Sequence, residues 1–197
     1  MFTGIVERIG EVVAIDRTET TFDLIVRSGI SSALRVDQSV SHDGVCLTVV
    51  AVNGDTHTVQ LVQETLDRTT FHRINVGDTL NLERSMRANG RFEGHIVQGH
   101  VDGMGHLISI KNGIYTFRYP EVYAHLIAEK GSICINGISL TVAALTRDTF
   151  GVAIIPYTLA NTNFHTLSPG SAVNLEFDIL AKHLARITDL RESYRPQ

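Results

Sequence analysis

Short apolar, β-branched runs punctuate the first half of the chain. They are Val12-Val13-Ala14-Ile15, Phe22-Asp23-Leu24-Ile25-Val26, Leu47-Thr48-Val49-Val50-Ala51-Val52, Thr58-Val59-Gln60-Leu61-Val62 and Thr79-Leu80-Asn81-Leu82. Turn residues separate them, and Asn53-Gly54-Asp55 between two of the runs is a hairpin signal. Five or six strands in about 95 residues predict a small antiparallel barrel. Short helical turns are predicted after Thr65 and over Glu121–Lys130, the latter stopped by Gly131. Near the C-terminus, Ile179, Leu180, His183, Leu184, Ile187 and Leu190 recur at helical spacing, giving an amphipathic helix. It either packs on its own domain or serves as a partner helix for oligomerisation.

The strand pattern occurs twice. Laid over one another at a shift of 93, residues 39–85 and 132–178 are identical at 18 of 47 positions, where composition alone gives roughly 3. The matches include Gly44 with Gly137, Leu47-Thr48-Val49 with Leu140-Thr141-Val142, and Asn81-Leu82-Glu83 with Asn174-Leu175-Glu176. With a shift two residues larger, Phe2-Thr3-Gly4-Ile5-Val6 aligns with Val97-Gln98-Gly99-His100-Val101. Two such copies predict a duplicated, all-β chain: one barrel over residues 1–96, a second over 97–178, and a helix over 179–194 with no counterpart in the first copy. A pseudo-twofold axis is expected between the barrels.

Composition narrows the function. A net charge of −4 and only three lysines, Lys111, Lys130 and Lys182, leave no basic stripe for nucleic acid or an anionic membrane surface. No stretch reaches the ~20 apolar residues of a membrane span, and no signal peptide is expected because Glu7 and Arg8 interrupt the N-terminal apolar run. Cytoplasm is therefore the expected compartment. Cys46 and Cys134 are too few for a disulfide scaffold or a zinc site.

Histidine, cysteine and hydroxyl positions carry the candidate chemistry. On an extended strand His95 and His100 point to opposite faces and cannot share a metal, so no metal site is expected. His100 stands where the first copy has apolar Ile5, which reads as a specialised site or as a satisfied histidine. Cys46 with Thr48, and Ser139 with Thr141, each place two small polar groups on one strand face. They form either hydroxyls satisfied within a turn or the floor of a site for a polar heterocycle. Asp178, where the first copy has Ser85, either orients a histidine or caps the C-terminal helix. No phosphate-binding glycine loop or hydrolase nucleophile elbow is present.

Taken together and in order, Met1-Phe2-Thr3-Gly4-Ile5-Val6, residues 43–49, Glu64-Thr65-Leu66, residues 94–102, residues 136–142 and residues 155–159 resemble the riboflavin synthase family, the alpha chain built from lumazine-binding repeats. The resemblance implies two six-stranded Greek-key barrels and a homotrimer assembled with help from the C-terminal helix. It implies dismutation of two molecules of 6,7-dimethyl-8-ribityllumazine to riboflavin and 5-amino-6-(D-ribitylamino)uracil, with no cofactor. Association with lumazine synthase is a further partner it suggests.

Carried onto this chain, the first lumazine site would comprise Gly4, Ile5, Val6, Cys46, Leu47, Thr48, Gln60, Leu61, Val62, Gln63, Glu64 and Thr65, closed by Phe2 and Thr3. The second would comprise Gly99, His100, Val101, Asp102, Lys130, Ser139, Leu140, Thr141, Ile154, Ile155, Pro156, Tyr157, Thr158 and Leu159. The catalytic candidates are His100, Ser139, Thr141, Cys46 and Ser41, with Asp178 supporting His100 or the adjoining hydroxyls; His95 is expected to be structural. Tyr157 departs from the resemblance, standing where the first copy has Glu64. The rival from another class is a lumazine- or flavin-binding antenna protein that does no chemistry.

Overall fold

The structure, a computed structural model, describes residues 1–18 and 21–193. The first repeat forms β1 (Arg8–Arg17), β2 (Phe22–Arg27), β3 (Ser39–His42), β4 (Val45–Asn53), β5 (Thr56–Leu61), α1 (Gln63–Arg68) and β6 (Thr79–Arg84). The second forms β7 (Gly103–Lys111), β8 (Ile114–Arg118), β9 (Ser132–Ile135), β10 (Ile138–Leu145), β11 (Thr149–Ala153), α2 (Pro156–Asn161) and β12 (Ala172–Phe177). Each set closes into an antiparallel barrel of six strands, in the order β1-β2-β5-β4-β3-β6 and its counterpart β7-β8-β11-β10-β9-β12. Strands β3, β4 and β5 run as consecutive hairpins while β2 returns beside β5, which is Greek-key connectivity.

Closure demands sharp bends, and the bends sit at matched places. The ladders slip by one residue between Val12 and Ala14 and between Val49 and Ala51. They slip again between Leu107 and Ser109 and between Val142 and Ala144, the equivalent positions. Such bulges raise local twist and turn a strand around a barrel corner.

Two helical segments differ from the pattern-based expectation. α1 begins at Gln63 rather than after Thr65, and the expected 121–130 turn is a 3-10 helix that stops at Leu126. Ile127 returns to extended backbone because its side chain is needed in the second core, where it is buried. α3 (Ile179–Ser193) follows the second barrel as its periodicity predicts; the last residue of the expected helix, 194, lies outside the described residues.

The two interiors are filled differently. The second barrel holds Phe117, Phe150, Phe164 and Phe177, all essentially without exposure. The first places His42 and His57 where the second has Ile135 and Phe150. Val40 O can only accept, so His42 Nδ1 donates to it at 3.1 Å. That leaves His42 Nε2 as acceptor for His57 Nε2–H at 2.8 Å, and His57 Nδ1 as acceptor for the Ser31 hydroxyl at 2.8 Å. Ser28 completes the chain by donating to Ser31 Oγ at 2.9 Å. Every polar atom of the two neutral rings is thereby satisfied.

Reciprocal contacts join the barrels across a pseudo-twofold axis. Phe2 and Val97 exchange both backbone hydrogen bonds, 2.7 and 3.1 Å, and bury against Cys134 and Cys46. Asn81 Nδ2 donates to Asn136 O, and Asn174 Nδ2 donates to Asp43 O, each at 2.9 Å. These amides are buried, so each interbarrel bond replaces water that either barrel alone would need.

Candidate functional site

Two buried carboxylates build the site. Glu83 on β6 accepts from Thr3 N, Thr3 Oγ1 and Gly4 N at 2.7, 2.9 and 2.9 Å. Its equivalent on β12, Glu176, accepts from Gln98 N, Gly99 N and His100 N at 2.7, 2.9 and 3.0 Å. Burial pushes both carboxyls up from their ordinary range, while the N–H donors and, at Glu176, Lys182 favour the charged form. Each carboxylate thus fixes one glycine loop at the barrel junction.

The loops then cross over. Gly4 O accepts from Ser139 N of the second barrel, and Gly99 O accepts from Cys46 N of the first, both at 2.8 Å. Val6 packs against the second core and Val101 against the first. Each glycine motif thus contacts the other barrel, whereas the sequence-based grouping has it serve the barrel that follows it. Gly4, Ile5 and Val6 face Ser139; Gly99, His100 and Val101 face Cys46. The antiparallel Phe2–Val97 bridge is the cause, because it carries each loop past the axis before its chain enters its own barrel.

On the first barrel the crossing forms a cleft of about 270 Å³ lined by Val45, Cys46, Glu64, Thr65, Arg68, Thr69, Gly99, His100 and Val101. His100 is exposed there, held by its backbone rather than by a side-chain bond. Cys46 is half-buried and Thr48 exposed on the same face of β4, while Leu47 points into the core. Leu61 is likewise a core residue; Gln60, Val62 and Gln63 are exposed, and Gln63 bonds Asp67. Ser41, buried and paired with Cys46 across β3–β4, is not among the lining residues. Phe2 lies wholly buried at the junction and Thr3 is tied to Glu83, so neither lines this cleft.

On the second barrel, Ser139 Oγ lies 2.7 Å from His95 Nδ1. Burial lowers the His95 pKa, and the Asp178 charge opposes that shift. Asp178 thus acts on His95, and it also caps α3 by accepting from Leu180 N at 2.9 Å. Thr141 and Lys130 are exposed, and Leu140 packs on the second core. Asp102 accepts from Phe177 N at 2.9 Å and pairs with Lys182 Nζ at 2.6 Å, pinning α3 to the barrel. Ile155, Pro156 and Tyr157 are exposed at the start of α2; Ile154 and Leu159 reach the core, and Thr158 O accepts from Thr162.

The junction also exchanges thiol for hydroxyl. Ser41 pairs with Cys46 in the first barrel, and Cys134 with Ser139 in the second. Burial and the nearby carboxylates Glu176 and Glu83 raise the Cys134 thiol well above its usual range, leaving it inert, whereas Cys46 reaches the cleft. Among the described residues no three His, Cys, Asp or Glu side chains converge as metal ligands.

Strand alternation does not place His95, because residues 94–102 are irregular apart from the bridge at Val97, and the contact of His95 with Ser139 therefore leaves no sequence pattern. Glu83 and Glu176 were legible, since both copies keep Asn-Leu-Glu at the aligned positions.

Comparison with known proteins gives the family. The model of the lumazine binding domain matches twice, at residues 3–85 and 98–178. The chain is 39% identical over 192 residues to a riboflavin synthase of Bacillus amyloliquefaciens, covering 94% of this chain and 89% of that one. It is 39% identical over 196 residues to that of Mycobacterium tuberculosis (strain ATCC 25618 / H37Rv), covering 95% and 98%. Among solved structures, LumP complexed with riboflavin superposes with a TM-score of 0.81 at 26% identity, covering 90% of this chain and 99% of that one. LumP complexed with 6,7-dimethyl-8-(1'-D-ribityl) lumazine gives 0.80 at 24%, with the same coverage, a likeness of fold.

Proposed function

The chain belongs to the lumazine-binding-domain family, and from that membership we propose that it is a riboflavin synthase: a transferase that dismutates two 6,7-dimethyl-8-ribityllumazine molecules to riboflavin and 5-amino-6-(D-ribitylamino)uracil. The observation that carries the reading is identity of 35–39% to curated riboflavin synthases along about 95% of the chain. The organisation we adopt is a first barrel over 1–96, a second over 97–178 and an assembly helix over 179–194, in a cytoplasmic homotrimer that can associate with lumazine synthase.

The chemistry needs little beyond positioned polar groups. Removing a proton from the 7-methyl group leaves charge delocalised in the heterocycle, so a modest base and hydrogen bonds to the ring suffice. We assign the base role on the second barrel to Ser139 with His95, whose imidazole burial shifts towards its neutral form, and give Asp178 the task of steadying the imidazolium that forms. Thr141 supplies a neighbouring hydroxyl. On the first barrel Cys46 and His100 flank the acceptor lumazine, with Thr48 and Glu64 beside them and Ser41 behind Cys46. Much of the rate then comes from holding the two rings in one orientation.

The reading is tested by incubating the purified protein with 6,7-dimethyl-8-ribityllumazine alone, with chelator and no cofactor. Riboflavin accumulating over many turnovers is the expected result. Saturable lumazine binding without turnover would instead give the antenna reading, which the superposition on LumP makes the specific rival.

A further inference from the structure

A second cleft, of about 550 Å³, opens between the barrels and shares no lining residue with the one at Cys46. Phe71, Ile74 and Leu80 of the first repeat, themselves buried in its core, line it together with Leu167 and Ala172 of the second and the polar Thr70, Thr79 and Asn163. Asp43 and Asn136 also line it, equivalent residues of the two Asx-Gly turns, only 6% and 4% exposed. The turns abut so closely that a Cβ on Gly44 would meet Gly137 N at 2.8 Å, and the reverse holds too.

Each of these side chains spends one terminal atom inward. Asp43 Oδ1 accepts from Asn81 N at 2.7 Å and Asn163 Nδ2 at 2.9 Å; Asn136 Oδ1 accepts from Asn174 N at 2.8 Å. Asp43 Oδ2 and Asn136 Nδ2 have no hydrogen-bond partner among the described residues, although neither is sealed from solvent. In the second repeat the atom left over is an N–H donor. In the first it is an oxygen on a carboxyl group with no cation bonded to it.

We propose that this interbarrel cleft is a binding site for a small, uncharged, carbonyl-bearing molecule, whose oxygen is held by two donors: the Asn136 amide and Asp43 as a carboxylic acid. The neutral acid is the isostere of the amide that occupies the equivalent place. Burial also pushes the Asp43 carboxyl up to about 8, the Asn81 and Asn163 donors opposing the rise and Asp78 adding to it. The remaining titratable groups at the cleft are His72, whose Nδ1 bonds Thr69 O at 2.7 Å, and Arg73. The mixed polar and apolar lining suits a flat, polar ring, and no cation is bonded to the floor at Asp43 and Asn136.

The test uses the full chain and 1-methyl-2-pyridone, a flat ring with one acceptor oxygen and no N–H, followed by ligand-observed NMR with folding monitored by circular dichroism. Saturable binding is expected at pH 7 and not for toluene. The dissociation constant should rise about tenfold per pH unit above about 8, as Asp43 loses its proton and with it the donor. Asp43→Asn, which installs the twin repeat's residue, should bind at pH 7 and keep that affinity through pH 10. No saturable binding at pH 7, a wild-type profile flat to pH 10, or a Asp43→Asn profile that still falls would each overturn the proposal. The wild-type profile decides the matter even if the variant fails to fold.

Discussion

Gly99 has a φ of +80°, and a Cβ placed on it would stand 2.5 Å from Cys46 Cβ. Gly4 repeats this at φ +75°, 2.7 Å from Ser139 Cβ and N. Either position forbids a side chain twice over, by backbone conformation and by space. Gly99→Ala should therefore cost about 2 kcal/mol or more in urea unfolding, and it should weaken ligand binding at the Cys46 cleft more than at Ser139. Gly4→Ala should reverse the order of the two sites. A second expectation concerns His95. Its neutral form is the base, and burial holds its pKa below 6.5, so activity should be level through neutral pH and decline only on the acid side, below about 6.5. Asp178→Asn removes the charge that opposes the shift and should move that acid limb lower still, while His95→Gln should abolish it together with most of kcat. At this scale the sequence exposed the small polar pairs and the glycines, because both copies display them. It could not show which barrel each glycine loop touches, since crossing at the Phe2–Val97 bridge leaves no local pattern.

The strands were legible from β-branched runs, and their duplication located equivalent bulges that no single run marks. The helical turn at 121–126 ended early because the demand of the core for Ile127 overrode the local signal. Least visible was the polar interior of the first barrel. His42 and His57 lie on buried strand positions that in the other copy read Ile135 and Phe150. Burial depresses His42 to about 3, with the neighbouring His57 adding to it, and depresses His57 to about 4. The unfolded chain takes up these protons first, from about pH 6.5 downwards, so stability carried by the neutral pair is lost progressively from pH 6.5 towards 4. Each depressed imidazole contributes a slope of about 1.4 kcal/mol per pH unit over that window. Asp43, Glu83 and Glu176 shift in the opposite sense, so the informative quantity is a difference. Wild type minus His42→Ile/His57→Phe should lose roughly 2–3 kcal/mol of unfolding free energy per unit between pH 6 and 4.5, by urea titration. A difference independent of pH would mean that the rings are not neutral in the folded barrel.

Among the described residues, two closed barrels account for every strand, and α3 is the element without a twin. Its Leu180, Leu184 and Ile187 are 61%, 65% and 50% exposed, while Lys182 on the same helix is tied to Asp102. One face of α3 is thus anchored and another is left apolar in water, which suits burial against other copies in the proposed trimer. Leu184→Asp should shift the species seen by sedimentation from trimer to monomer without unfolding the barrels. The duplication was plain in the sequence because identical residues recur at a fixed shift. The contacts across the axis were not, since Asn81, Asn163 and Asn174 look like ordinary turn and strand amides until their partners are known. In the proposed mechanism, paired, homologous sites dismutate one substrate. Product stoichiometry tests it most directly, with lumazine loss followed by absorbance and both products by chromatography. One riboflavin and one 5-amino-6-(D-ribitylamino)uracil for every two lumazines consumed is the expected result. Riboflavin formed without the uracil product, or lumazine bound and never consumed, would rule out dismutation at these sites.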